Sequence, residues 1–172
     1  MRNLSLSLIA ILLSLSFADI ANAQAVQIFG GYSYLHPTVD VSPTLNTNPN
    51  LNGWELSGTY NAWKWLGATA DFSGDYGTVG GLSIHEQNYL FGPQVHLPGP
   101  VSPFAHVLIG GASETIGSLS ADSVAVAAGV GIDIHVAPFL SVRPIQFDYL
   151  VTRFRSATQN QPRVSAGVVI DF

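Results

Sequence analysis

SVAVAAGVGIDIHV, residues 123 to 136, alternates without a break. Val124, Val126, Ala128, Val130, Ile132, Ile134 and Val136 share one face of an extended chain, while Ser123, Ala125, Ala127, Gly129, Gly131, Asp133 and His135 share the other. Successive side chains of a strand point to opposite faces, so a period of two reads as a strand. A helix fails on the period and on the two glycines. The alternation from Val124 to Val136 outlasts the usual strand of five or six residues, and it exceeds the roughly 9–11 residues that cross a bilayer at a tilt.

The same alternation recurs along the chain and gives eight expected strands, at about 25–35, 53–61, 65–74, 84–96, 103–112, 123–136, 140–153 and 163–172. Their connections alternate in length. HPTVDVSPTLNTNPNLN, DYGTVGGLS, SETIGSLSAD and RSATQNQP read as long loops, whereas NAWK, LPGPVS and the segment around Pro138 read as short turns. One end with short turns and one with long loops is what an up-and-down barrel requires, and an even strand number puts both chain ends at the short-turn end. The expected fold is therefore all-β, an eight-stranded antiparallel up-and-down transmembrane β-barrel formed by residues 24–172.

Composition agrees. The 172 residues are 47% hydrophobic but only 10% charged, against roughly 25% charged in soluble domains. No apolar run after the N-terminus is long enough for a spanning helix, so the hydrophobicity has to be distributed over strands. A net charge of −5 with six Lys and Arg argues against a nucleic-acid partner. The lack of cysteine excludes disulfides, thiolate metal sites and a lipoprotein-type anchor. Residues 1–23 read as an export signal: Arg2, the apolar stretch Leu4 to Phe17 interrupted by serines, then Ala21-Asn22-Ala23 as a cleavage site before Gln24. An uncleaved anchor is the alternative, for which the apolar run is short. Tyr32, Tyr34, Trp54, Tyr60, Trp63 and Trp65 fall near strand ends, where bilayer interfaces favour rings with a polar tip.

The last strand, VSAGVVIDF, ends on Phe172, and YLFGPQVHL and RPIQFDYLVTRF have the same alternating character. With these segments the chain resembles the small outer-membrane barrels, OmpA-like and opacity-protein-like, of Gram-negative envelopes. The resemblance implies an outer-membrane location with short turns in the periplasm and long loops outside. It implies outer-membrane lipid and lipopolysaccharide as surroundings, and periplasmic chaperones and the barrel-assembly machinery as partners during biogenesis. Val164, Ala166, Val168, Ile170 and Phe172 match the insertion signal of that family. The peptidoglycan-binding domain that follows the barrel in full OmpA-like proteins is not expected here.

Some eight-stranded envelope barrels act on lipid A through a His-x-Ser pair on one strand face with a carboxylate nearby, so that imidazole deprotonates the hydroxyl. The sequence has the reverse order, Ser83-Ile84-His85, followed by Glu86. A loop-proximal Ser and His ordinarily meet only water, so no catalytic residue and no cofactor is expected. His96, His106 and His135 would all face inward near the short turns; three imidazoles suit a metal only if they converge, and a hydrogen-bond network with Asp133, Gln94 and Gln146 is the expected alternative.

Parity assigns a polar interior. Glu55, Asp71, Glu86, His96, His106, Asp133, His135, Arg143 and Asp148 are its expected charged and imidazole members, accompanied by Gln27, Thr59, Thr69, Asn88, Gln94, Gln146, Arg163, Ser165 and Asp171. Buried carboxylates must pair, protonate or meet water. Arg143 is the expected partner of Asp148, yet the two are five residues apart and point oppositely in a regular strand; a bulge at Pro144 would correct this. Inward Gly31, Ala127, Gly129, Gly131 and Gly167 leave room either for water or for Phe29, Phe104 and Leu108. Three readings follow: a packed barrel with a structural or surface-interaction role, a narrow cation-preferring channel, and a soluble ligand-holding barrel with its apolar face inside. The first loop, rich in Asn, Thr and Pro without an aromatic or arginine anchor, names no extracellular partner.

Overall fold

The computed structural model describes residues 26–36, 50–79, 82–116, 119–154 and 157–172. The expected export signal, the start at Gln24 and most of the first loop lie outside the described residues.

Eight strands follow in chain order: β1 (Val26–Leu35), β2 (Leu51–Trp63), β3 (Leu66–Val79), β4 (Leu82–His96), β5 (Val101–Ile116), β6 (Leu119–Ala137), β7 (Leu140–Phe154) and β8 (Ala157–Asp171). Each pairs antiparallel with the next, and β8 returns to β1, so the sheet closes on itself. Closure matters because an open edge in hydrocarbon would leave backbone groups unpaired at several kcal/mol each. The chain ends meet as the even strand number requires: the Phe172 amide donates to the Val26 carbonyl at 2.8 Å.

The stagger can be followed from Ser33. In one direction the pairing runs through Gly53 and Asp75 to Glu86 on β4. In the other it runs through Ser165, Gln146, Gly131 and Phe104 to His96, ten residues further along the same strand. An offset of that size tilts the strands by about 40°, as small membrane barrels require.

Parity decides which face is which. Ile28, Leu56, Phe72, Phe91, Val107, Ile109, Val130, Phe147 and Val168 all point outward and are exposed, whereas Glu55, Asp71, Asp133, Asp148, Arg143 and Arg163 are buried. This is the reverse of a soluble ligand-holding barrel. Leaving such side chains in water costs about 1.5–3 kcal/mol each relative to burial, so the outer face is built for hydrocarbon. Tyr32 and Trp54 lie towards one end of this surface, and Tyr60, Trp63 and Trp65 at the other, all exposed.

The short turns fall where expected, but three of the four long loops do not. β3 and β4 come within two residues of each other, as do β5 and β6, and β7 and β8. DYGTVGGLS, SETIGSLSAD and RSATQNQP are thus mostly strand. The register runs to Val79↔Leu82, Ile116↔Leu119 and Phe154↔Ala157. Beyond the lipid the outward residues turn polar and the hydrophobic alternation vanishes, while the backbone ladder continues unchanged. At 19 residues, β6 runs about 45 Å along the barrel axis at this tilt, well past a hydrocarbon core of about 25 Å.

Candidate functional site in the barrel interior

The expected bulge is present. β7 pairs Arg143↔Gly167 and then Gln146↔Ser165, so it spends three residues where β8 spends two. Pro144 has no amide to donate, which suits an interrupted ladder. As a result Arg143 and Gln146 both face inward, and Pro144 and Ile145 are both exposed.

Three levels fill the interior. At the centre the guanidinium of Arg163, fully buried, lies between two carboxylates. It donates to Asp148 at 2.8 and 3.1 Å and to Asp71 at 3.2 and 3.4 Å, and to the Ser73 hydroxyl at 3.0 Å. Glu55 stands 3.6 Å from it. Gln146 Nε2 donates to Glu55 Oε1 and to Asp148 Oδ2, each at 2.7 Å, and the Ser165 hydroxyl donates to Glu55. His106 Nε2 lies 2.7 Å from the other Asp148 oxygen. Gly129 stands between β5 and β7 at this level, and a Cβ there would come within 1.8 Å of Asp148 Oδ1 and 2.5 Å of His106 Nε2. The bond passes over a glycine because nothing larger leaves it space.

Nearer the short turns, Arg143 forms a two-pronged pair with Asp133 at 2.7 and 2.9 Å and donates to Gln146 at 2.7 Å. Its guanidinium carbon lies 4.4 Å from the centroid of Phe29 and 4.2 Å from that of Phe104. Two aromatic faces on one cation make a desolvated plug. Glycines seat both rings: a Cβ at Gly31 would meet Phe29 at 2.5 Å, and one at Gly131 would meet Phe104 at 2.5 Å. Below them Gln27 and Ser141 both donate to Asp171, at 2.9 and 2.7 Å. Towards the other end, Leu35, Leu51, Leu90, Leu108 and Leu150 pack together with Ala125 and Ala127.

One expected pairing is corrected: Arg143 binds Asp133, and Asp148 is taken by Arg163 and His106. Sequence parity puts both arginines inside but cannot rank partners that depend on the height of each side chain across the lumen. Glu55, Asp71 and Asp148 are brought together; Glu86 lies apart, towards the end opposite the short turns, accepting from Asn88 at 3.3 Å and Gln161 at 3.1 Å. His106 joins the network, whereas His96 and His135 are only half-buried. Among the described residues no three His, Cys, Asp or Glu side chains gather to hold a metal ion. Ser83 and His85 do share a face, but it is the outer one; the His85 ring stands edge-on to Tyr76 with centroids 5.1 Å apart, and Glu86 points the other way. No catalytic arrangement results. Val164, Ala166, Val168, Ile170 and Phe172 all lie on the exposed outer face. Asp75 and Gln161, both fully buried, join the interior although they fall in segments whose sequence reads as loop.

No family model matches the chain, and no curated protein matches its sequence. Solved structures match its fold. Neisserial surface protein A is 12% identical, covers 88% of this chain and 99% of its own, and superposes with a TM-score of 0.74. Ail, the attachment invasion locus protein of Yersinia pestis, is 17% identical over 86% of this chain and 99% of its own, with a TM-score of 0.60. A second Ail structure, in complex with the heparin analogue sucrose octasulfate, is also 17% identical over those shares and has a TM-score of 0.54. The outer membrane protein OprG from Pseudomonas aeruginosa is 12% identical over 90% of this chain and 99% of its own, with a TM-score of 0.58. The fold is that of the small eight-stranded outer-membrane barrels.

Proposed function

We propose that the protein sits in the outer membrane of a Gram-negative envelope as a sealed barrel, with a structural or surface-interaction role carried by its protruding strands and not by its lumen. The observation that carries this is the filled interior: the Arg143 plug, the Arg163 network and the leucine cluster lie in series along the axis. The excess of interior acids over arginines is what a cation-preferring channel would use, but Glu55, Asp71, Asp133 and Asp148 are gathered around the two guanidinium groups and accept from Gln146 and Ser165. Enzymatic activity has no support in the site. The aliphatic belt suits lipid and lipopolysaccharide chains, and the outward row ending at Phe172 suits recognition by the assembly machinery after export by residues 1–23.

A sulfated polysaccharide, whose analogue Ail binds, does not suit the β3–β6 side of this chain. The protruding parts of β3–β6 carry Asp75, Glu86, Glu114 and Asp122 and no Lys or Arg, so their field repels polyanions. Titrating sucrose octasulfate into the refolded barrel is expected to give no binding.

The absence of cysteine makes the orientation directly testable. Ser113→Cys, half-buried on the outward face of β5 beside Asp122, should react with a membrane-impermeant maleimide on intact cells. Lys64→Cys, in the short β2–β3 turn, should react only after the outer membrane is opened. The opposite pattern would invert the topology, and labelling of neither until cells are lysed would remove the protein from the outer membrane.

A further inference from the structure

The polar groups left without partners in the barrel are unevenly distributed. Towards the short turns they include ring nitrogens, Nδ1 of His96 and His135. Towards the outer mouth they are all oxygens: both carboxylate oxygens of Asp75, Ser33 Oγ, Asn88 Oδ1, Gln161 Oε1 and Thr152 Oγ1. Among the described residues, neither oxygen of the Asp75 carboxylate has a hydrogen-bond donor or an ion-pair partner.

The register explains why the oxygens gather. Asp75 on β3 pairs directly with Glu86 on β4, and Glu86 pairs directly with Glu114 on β5. All three have inward parity, and like charges directly opposite one another destabilise a sheet. Asp75 and Glu86 are buried. Asn88 and Gln161 turn their amide nitrogens onto Glu86, which leaves their carbonyl oxygens unfilled in the same region. Ser33 and Asp75 flank Gly53 in one register row, yet neither side chain completes a hydrogen bond of regular geometry. Arg163, the cation on the next level down, is already divided between Asp71 and Asp148. An unpaired carboxylate at zero exposure is strongly unfavourable unless it is protonated, meets water or is completed by a positive charge, and the unfilled oxygens at this end of the barrel suit the last.

We propose that the outer mouth binds a divalent cation of the calcium type, anchored by Asp75 and Glu86 and completed by amide and hydroxyl oxygens of Ser33, Asn88 and Gln161. Three acids do not gather closely enough to hold a metal by carboxylates alone. Two carboxylates plus neutral oxygens is a ligand set calcium accepts, since it takes six to eight oxygens in irregular geometry, whereas magnesium demands a near-ideal octahedron. The site goes beyond the surface role proposed above and does not depend on it.

The test is calorimetric titration of CaCl2 into the refolded, chelator-stripped barrel in zwitterionic detergent, with folding confirmed by heat-dependent gel mobility. Saturable binding near one ion per barrel is expected, with an affinity of about 10⁻⁴ M, the range of extracellular calcium modules. Asp75→Asn and Glu86→Gln should each weaken it at least about tenfold, and Asp122→Asn, on the exposed outer face, should leave it unchanged. Should Asp75→Asn not fold, Glu86→Gln decides alone. No saturable binding in the wild type, or binding that survives in the folded Asp75 or Glu86 variant, would overturn the proposal.

Discussion

Arg163 is the residue on which most of the buried charge depends. Without it, Glu55, Asp71 and Asp148 face one another in a space closed to water. Removing one partner of a buried ion pair costs about 3–5 kcal/mol, because the remaining charge is left uncompensated. Arg163→Met should therefore lower unfolding free energy by about that amount in urea titrations of the vesicle-refolded barrel, while Arg153→Met, on the exposed face of β7, should change it little. Gly129→Ala makes a sharper local test. Its methyl would occupy the space of the His106–Asp148 bond, so a loss of about 1–3 kcal/mol is expected from a small-to-larger change in a packed interior. Parity alone placed Glu55, Asp71, Asp133, Asp148 and both arginines inside. It could not say that Asp133 rather than Asp148 would take Arg143, because that choice depends on strand stagger, which no single strand encodes.

At the level of the strand, β7 shows how one residue sets the face of its neighbours. The extra residue at Pro144–Ile145 keeps Arg143 and Gln146 on the same side. Deleting Pro144 would turn either Arg143 into lipid or residues 146–152 with it, so the variant should fail to reach the heat-modifiable folded form on gels. Outward Val130, within the strand whose alternation first revealed the fold, should tolerate no charge: Val130→Lys is expected to cost about 2–4 kcal/mol, the penalty for a cation near the bilayer midplane, in the same urea titration. The sequence also under-read the strands at their outer ends. Asp75, Glu114 and Gln161 sit in regular pairing, but once a strand leaves lipid neither face needs to be apolar, and alternation is a signal of solvent contrast rather than of hydrogen bonding. Only where both sides differ, as in residues 124–136, do pattern and ladder coincide.

Taken whole, the molecule is apolar outside and ionic inside, the arrangement that lets strands cross hydrocarbon with every backbone group paired. Whether such a barrel conducts is decided in the lumen, since a barrel of eight strands is just wide enough for its own side chains to fill. Here they do so at three heights, with Arg143 clasped by Phe29 and Phe104 nearest the short-turn end. The most direct check is single-channel recording of the purified barrel in a planar bilayer, with gel mobility establishing that it is folded. A sealed barrel inserts and stays silent at all applied voltages. Discrete cation-selective steps from the folded wild type, diminished by Glu55→Gln or Asp71→Asn, would instead mean that water and ions pass between those side chains and that the protein is a channel.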